Sequence, residues 1–479
     1  MSDLFGSTDF FIASRTKRKA MSLPMLRPLV LLWPALLFAP SLWMGCRSDE
    51  GGQTYSDSYS EASHSNDAPA DYEFVFDTDA VARIDIVIDP VDFESMQRDV
   101  NVAVAQDLTP AWFQATILQG DFIWDHVGIR YQSRKSIEKS WQLNSKKFPF
   151  RLTFDKFEDD HPQTKNQRFY GFKKLSFGSG AFDDSLLREV LASEAFLSTG
   201  VVAARAAFRR VYVDSGEGPV YWGLYTILED VDDEPLQQRH FGEKDENLYE
   251  PAGKPGADWT EFVEEAFVKE NNRIAADFSD VEAAIAALHN QSDDQEAWRA
   301  ALEEGFAVES FLRTLAVNTI MVNWDSYGCK ARNYYLYAAP SDEGRLNWIP
   351  TDLDESFNGS VVGCGEGAPA DTELDIFHDS IGDEMPLISL LLDDPVYREN
   401  YASFLREALD GTFKQSNFVS RAEELHQLIE DYVVGESGED ARYSNLSSEA
   451  AFKESIEALL SHMQIRRQLV EGALDTEAN

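Results

Sequence analysis

Apolar and polar residues alternate through EFVFDTDAVARIDIVIDP, beginning at Glu73, with Ile84, Ile86 and Ile88 on one side. A period of two predicts a strand, which the Asp89-Pro90 pair ends. The same pattern predicts strands in HVGIRYQS, FPFRLTFDKF and GFKKLSFGSG. LLREVLASEAFLSTG switches to helical spacing, with Leu186, Leu187, Val190, Leu191 and Glu194 on neighbouring turns. AFRRVYVD and VYWGLYTILEDV, joined by Gly-Glu-Gly, predict a β-hairpin. The first folded half is therefore expected to be a mixed sheet carrying a single prominent helix.

The second half reads as mostly helical: WTEFVEEAFVKENNR, FSDVEAAIAALHN, DQEAWRAALEEGF, VESFLRTLAVNTIMVN, NFVSRAEELHQLIEDYVV and AAFKESIEALLSHMQIRRQLVEGAL all have helical spacing. One isolated hairpin interrupts it, NYYLYAAPSDEGRLNWIPTD, with Pro-Ser-Asp-Glu-Gly at its turn. No internal repeat is present. The expected class is α+β.

Upstream of the first strand, Arg27 precedes an apolar run from Pro28 to Met44. That run has the length of a signal peptide and is too short and proline-interrupted for a permanent span. It closes on Gly45 and Cys46, similar to a bacterial lipobox, although Trp43 and Met44 are bulkier than that motif prefers. Residues 1–46 are thus expected to be an export or lipoprotein signal, with an uncleaved anchor as the alternative. Residues 47–71, rich in Ser, Gly and Asp, are expected to be a disordered tether. The reading is of an exported cell-envelope lipoprotein.

Composition narrows the partners. With 43% hydrophobic residues over 479 positions the chain can build a large core, and its net charge of -42 repels nucleic acid. Divalent cations and basic substrates suit it better, although solubility alone explains most of the carboxylates. Of three cysteines, Cys329 and Cys364 remain if Cys46 carries lipid, an even pair able to form a disulfide in an oxidising compartment. There is no CxxC, HExxH, GxSxG or Walker A sequence, and His240, His289 and His378 read as surface or capping residues.

The chemistry gathers at the hairpin. Antiparallel strands bring their open ends together, so Asp325 and Asn333 before the first strand come beside Asp352 and Asp354 after the second. Oxygen ligands in that arrangement suit Mg²⁺ completed by water and phosphate. Aspartates that only cap loops are the alternative.

Five segments in order extend this: VGIRYQS with KKFPFRLTFDKF, YGFKKLSFGSGAFDDSLLRE, GLYTILEDVD with NLYE, NWDSYGCKARNYYLY, and WIPTDLDESF. From about Ala80 to about Gly359 the chain resembles the spore coat protein H (CotH) kinase family. These are secreted or surface proteins with a divergent protein-kinase-like fold that transfer phosphate from ATP to Ser or Thr. The resemblance implies a sheet-rich N-lobe over about 72–230, a mainly helical C-lobe from about 231, and a helical extension over 401–479. It implies ATP with Mg²⁺ or Mn²⁺, and a protein substrate or the chain itself as acceptor. Asp325 would be the catalytic carboxylate, and Asn333 and Asp352 metal ligands, with Asp354 as a second ligand or a partner of the turn. Lys147 and Arg151 would neutralise phosphates, Arg130 would add a further contact, Glu189 would pair with the phosphate-binding cation, and Glu229 would stand at the adenine position. Gln132 to Ser136 replaces the family's Lys-Gly-Asn-Ser-Ser type stretch, leaving Arg134 or Lys135 to compensate, and Thr351 replaces a Trp. Two other readings stand beside it: a pseudokinase or coat-assembly protein, and a Ca²⁺-dependent adhesion lipoprotein.

Overall fold

Barrel formation starts from the predicted strand alternation and goes further than an open sheet. The computed structural model describes residues 58–244, 246–358 and 375–477. Two short helices, α1 (Glu61–His64) and α2 (Tyr72–Val75), precede β1 (Ala82–Val87). Then come α3 (Pro90–Gln106), β2 (Phe113–Gln119), β3 (Phe122–Tyr131), α4 (Arg134–Gln142), β4 (Phe150–Thr153), β5 (Lys174–Gly178), α5 (Arg188–Ser198), β6 (Ala206–Asp214) and β7 (Val220–Glu229). The seven strands close into a barrel in the order β1-β2-β3-β4-β5-β7-β6, every pair antiparallel except β6 with β1. Aromatic side chains fill it, among them Trp124, Phe150, Phe177 and Tyr225.

Two expectations change here. The half with one prominent helix also contains α3, which sets Met96, Val100, Ala103 and Val104 inward at helical spacing within a run of polar residues that hides the pattern. The tether expected to reach residue 71 is packed from its first described residues: His64 stacks on Trp124 at 4.4 Å, and its Nε2 donates to the Ile123 carbonyl at 2.9 Å. A few aromatic contacts supply burial that the Ser- and Asp-rich composition conceals.

Beyond the barrel lie α6 (Glu234–Phe241), β8 (Leu248–Pro251), β9 (Phe267–Lys269), α7 (Ser279–His289), α8 (Gln295–Gly305), α9 (Val308–Met321), β10 (Tyr334–Ala339) and β11 (Arg345–Pro350). After these come α10 (Pro386–Asp393), α11 (Pro395–Asp410), α12 (Gln415–Val433) and α13 (Glu449–Glu477). The expected hairpin is β10–β11, but it is not isolated: it forms a four-stranded sheet in the order β11-β10-β8-β9. Phe267–Lys269, expected to be helical, is the edge strand β9 because it pairs with β8. The hairpin is fixed by Tyr334 stacking on Trp348 at 3.9 Å within a core that runs from α5 to α13. No helix among the described residues is long and apolar enough to cross a membrane.

Candidate active site

α9 delivers the chain to the site, and the way it ends sets the geometry. The Asn318 carbonyl accepts from the backbone N–H of Val322 at 2.7 Å and of Asn323 at 3.2 Å. Val322 turns through a left-handed φ of 61°, uncommon for a β-branched residue. Asn323 Oδ1 then accepts from the Asp325 N–H at 3.2 Å, and Ser326 Oγ donates to the Asn323 carbonyl at 2.8 Å. Asp325 is thereby held at the open end of the hairpin.

Its carboxylate accepts from Lys330 Nζ at 3.0 Å and Arg332 Nε at 2.8 Å, with a second Arg332 nitrogen on the same oxygen. Asn333 Nδ2 donates to the Asp325 carbonyl at 2.6 Å and to Oδ2 at 3.2 Å. Burial pushes the Asp325 carboxyl up, but the bonds from Arg332 and Lys330 outweigh it and leave the group below its ordinary value.

Across the hairpin, the Thr351 N–H donates to the Asn333 carbonyl at 3.1 Å, extending the Tyr334–Pro350 pairing by one residue. Asp352 follows in a left-handed conformation, φ 56°. Its side chain reaches solvent, yet its carboxyl is raised first by poor hydration and next by the charge of Asp325, against Arg332 and Lys135. Asp354 is raised further, by burial and then by Asp352 and Glu189. Glu189 on α5 accepts from the Leu353 N–H at 3.2 Å and is pushed up to about 8 by burial and Asp352. Asp325, Asn333, Asp352, Asp354 and Glu189 thus form one linked group.

Arg130 and Arg151 are cross-strand partners on β3 and β4 and line a recess of about 650 Å³ that β8 and β10 close with Glu250 and Tyr335. Arg151 donates to Asp230 Oδ1 at 2.8 Å and to Ser176 Oγ at 3.2 Å. Arg130 lies 4.4 Å over the Trp112 ring, and its buried Nε has no hydrogen-bond partner. Burial, then Arg151, lowers the Arg130 guanidinium, so an arriving anion would relieve it.

Three expected contacts are placed elsewhere. Glu189, expected beside the phosphate-binding cation, takes the Leu353 N–H instead, and no ion pair joins it to Lys147 or Arg151 among the described residues. Lys147 is not open to a phosphate: its Nζ lies 2.6 Å from Glu439 Oε1, with the two side chains 0% and 1% exposed. Glu229 is committed to a clamp. It accepts from the Tyr72 hydroxyl and, at 3.0 Å, from the Arg205 N–H, burial pushes it up to about 7, and its side chain is fully buried, so it is not open to a nucleobase. His378, expected at the surface or in a cap, is half-buried, and its Nε2 meets Thr319 Oγ1 at 2.9 Å.

Sequence reasoning missed Lys330 and Arg332, although five and seven positions after Asp325 they stand in the same quoted segment. It also missed Asp230, whose pairing with Arg151 has no local signal, and Asp183. The two Asp183 oxygens accept from the N–H groups of Ser185 at 2.8 Å and Arg188 at 3.0 Å, where α5 begins.

Among the described residues no three His, Cys, Asp or Glu side chains converge to hold an ion. The donors present are nevertheless hard oxygens, and a divalent cation would offset the burial and the mutual repulsion that raise Asp352 and Asp354. Mg²⁺ takes one or two carboxylates and leaves its other positions to water and phosphate, so the donor set fits. Cys329 is disulfide-bonded; Cys364, Cys46 and the expected export signal lie outside the described residues.

The chain matches the family described as CotH kinase protein over residues 136–470. Invasin CotH7 of Rhizopus delemar is 23% identical over 152 residues, covering 30% of this chain and 24% of that protein, so the chain spans about a quarter of the curated relative. A solved Shewanella oneidensis MR-1 toxin–antitoxin complex of HipA, HipB and operator DNA contains a chain that is 14% identical. The match covers 63% of this chain and 60% of that one at a TM-score of 0.27, a slight likeness.

Proposed function

The chain belongs to the CotH kinase family, and from that premise we propose that it transfers the γ-phosphate of ATP to a Ser or Thr hydroxyl of a protein. In this reading the barrel is the N-lobe, the remainder the C-lobe, and the cleft of Arg130, Arg151 and Tyr335 receives the nucleotide. One observation carries it. Residues from both open ends of the β10–β11 hairpin, Asp325, Asn333 and Asp352, lie within one another's field, with Glu189 beside them.

Asp325 orients the acceptor hydroxyl and takes its proton as the new oxygen–phosphorus bond forms and the bond to the β-phosphate breaks. Held ionised by Arg332 and Lys330, it is a weak base, which suits a loose transition state in which the proton leaves late. Arg151 and Arg130 offset the negative charge of the phosphates. Asn333 and Asp352, with Asp354, would hold Mg²⁺ or Mn²⁺, which when bound supplies charge neutralisation at the phosphate oxygens. The apolar run ending at Cys46 supports reading the protein as exported and envelope-anchored.

A second reading, nucleotide binding without transfer, is favoured by the Asp325 carboxylate already being taken up by two cations. Labelled γ-phosphate with Mg²⁺ or Mn²⁺, wild type against Asp325→Ala, decides between them. Transfer in the wild type that falls about 10³-fold in the variant supports the kinase. Thermal stabilisation by nucleotide without transfer supports the second reading, and neither response overturns both.

A further inference from the structure

The C-terminal helix does more than pack. Where α9 ends, the turn at Val322 leaves the carbonyls of its last residues without intrahelical partners. α13 supplies them. Arg466, wholly buried, donates to the Thr319 carbonyl at 2.7 Å, and one turn earlier His462 Nε2 donates to the Met321 carbonyl at 3.0 Å. Residues four apart share a helix face, so both side chains reach the same turn, and a cation there also complements the negative end of the α9 dipole.

The Met321 carbonyl has a second donor, the Phe357 N–H at 3.1 Å. One carbonyl therefore joins α13, the turn that leads to Asp325 and the segment that carries Asp352 and Asp354. A change in α13 would be felt on both sides of the hairpin at once. Its test bears on the proposed phosphate transfer, on which this inference rests.

We propose that His462 and Arg466 are positioning residues: α13 holds the α9 turn so that Asp325 and the 352–357 segment face each other at reacting distance. The full chain is assayed for phosphate transfer as wild type, His462→Phe, His462→Gln, Arg466→Met and Arg466→Lys, and amide hydrogen exchange is followed in each. Loss of the donor, in His462→Phe or Arg466→Met, is expected to lower kcat about ten-fold or more with the KM for ATP within about two-fold. His462→Gln and Arg466→Lys, which can still donate, recover most of the rate. Exchange at residues 322–326 and 353–357 quickens about ten-fold in the donor-less variants while barrel amides keep their protection.

Unchanged kcat and unchanged exchange at those residues overturn the inference, as does protection lost evenly over the whole chain. Should Arg466→Met fail to fold, His462→Phe, which keeps a flat ring but removes the N–H donor, makes the same comparison. Should the wild type transfer no phosphate, the kinase reading fails and local exchange alone decides the positioning role.

Discussion

Lys147 and Glu439 bury a charge pair completely, 292 positions apart in the chain. Breaking such a pair leaves an uncompensated charge in the interior, so Lys147→Met should cost about 3–5 kcal/mol in urea unfolding while nucleotide affinity holds. Weakened affinity without lost stability would return Lys147 to the phosphate site. Its role was illegible locally because the residue that neutralises it arrives from the far end of the sequence; the Asp325–Asn333 contact was legible because only eight positions separate the two. Two other residues set opposing pH slopes. Burial raises Glu229 from 4.5 to about 7 and lowers His378 from 6.5 to about 4. Between about pH 4.5 and 7 the native chain keeps a proton at Glu229 that the unfolded chain has lost, so this contribution falls as pH rises and is gone above 7. As pH falls from 6.5 toward 4, the unfolded chain takes a proton that native His378 refuses, so stability falls on that side too. The two slopes, one proton each, cancel between about pH 4.5 and 6.5, so urea unfolding at a series of pH values should show a plateau there, and Glu229→Gln should turn that plateau into stability that rises with pH up to about 6.5.

Among the elements, the β10–β11 hairpin sets how the site residues face one another. Its register rests on Trp348, which stacks on Tyr334 and also packs against Phe311 and Tyr327. Trp348→Ala should cost about 3–5 kcal/mol and abolish phosphate transfer even where the variant still folds, read by unfolding and by transfer on the same sample. Full transfer in a folded Trp348→Ala would show that the hairpin does not set the geometry. The hairpin was legible because alternation and turn residues agree locally. β9 was not: FVEEAFVKE has helical spacing, and only the pairing of Phe267 with Pro251 and Lys269 with Tyr249 makes it a strand. Closure of the barrel was hidden for a related reason, since the parallel β1–β6 pairing joins residues more than a hundred positions apart.

For the whole molecule, a net charge of -42 opposes its own compaction. Raising NaCl from about 0.02 to about 0.5 M shortens the reach of that repulsion and should raise the melting temperature. A flat or falling curve would mean that local ion pairs such as Arg421 with Glu194 outweigh it. Two straps brace the barrel from outside, the residues before β1 and the turn after α12, where Glu439 also accepts from the Leu224 N–H at 2.8 Å. Because the barrel closes on itself, it offers no row of free peptide groups to a neighbouring molecule. In the smaller sheet β11 is flanked by the Phe306–Leu346 bridge, and the other edge, β9, is three residues long. Copies crowded on a surface therefore find little backbone to zip together among the described residues, so contacts between those parts must be held by side chains.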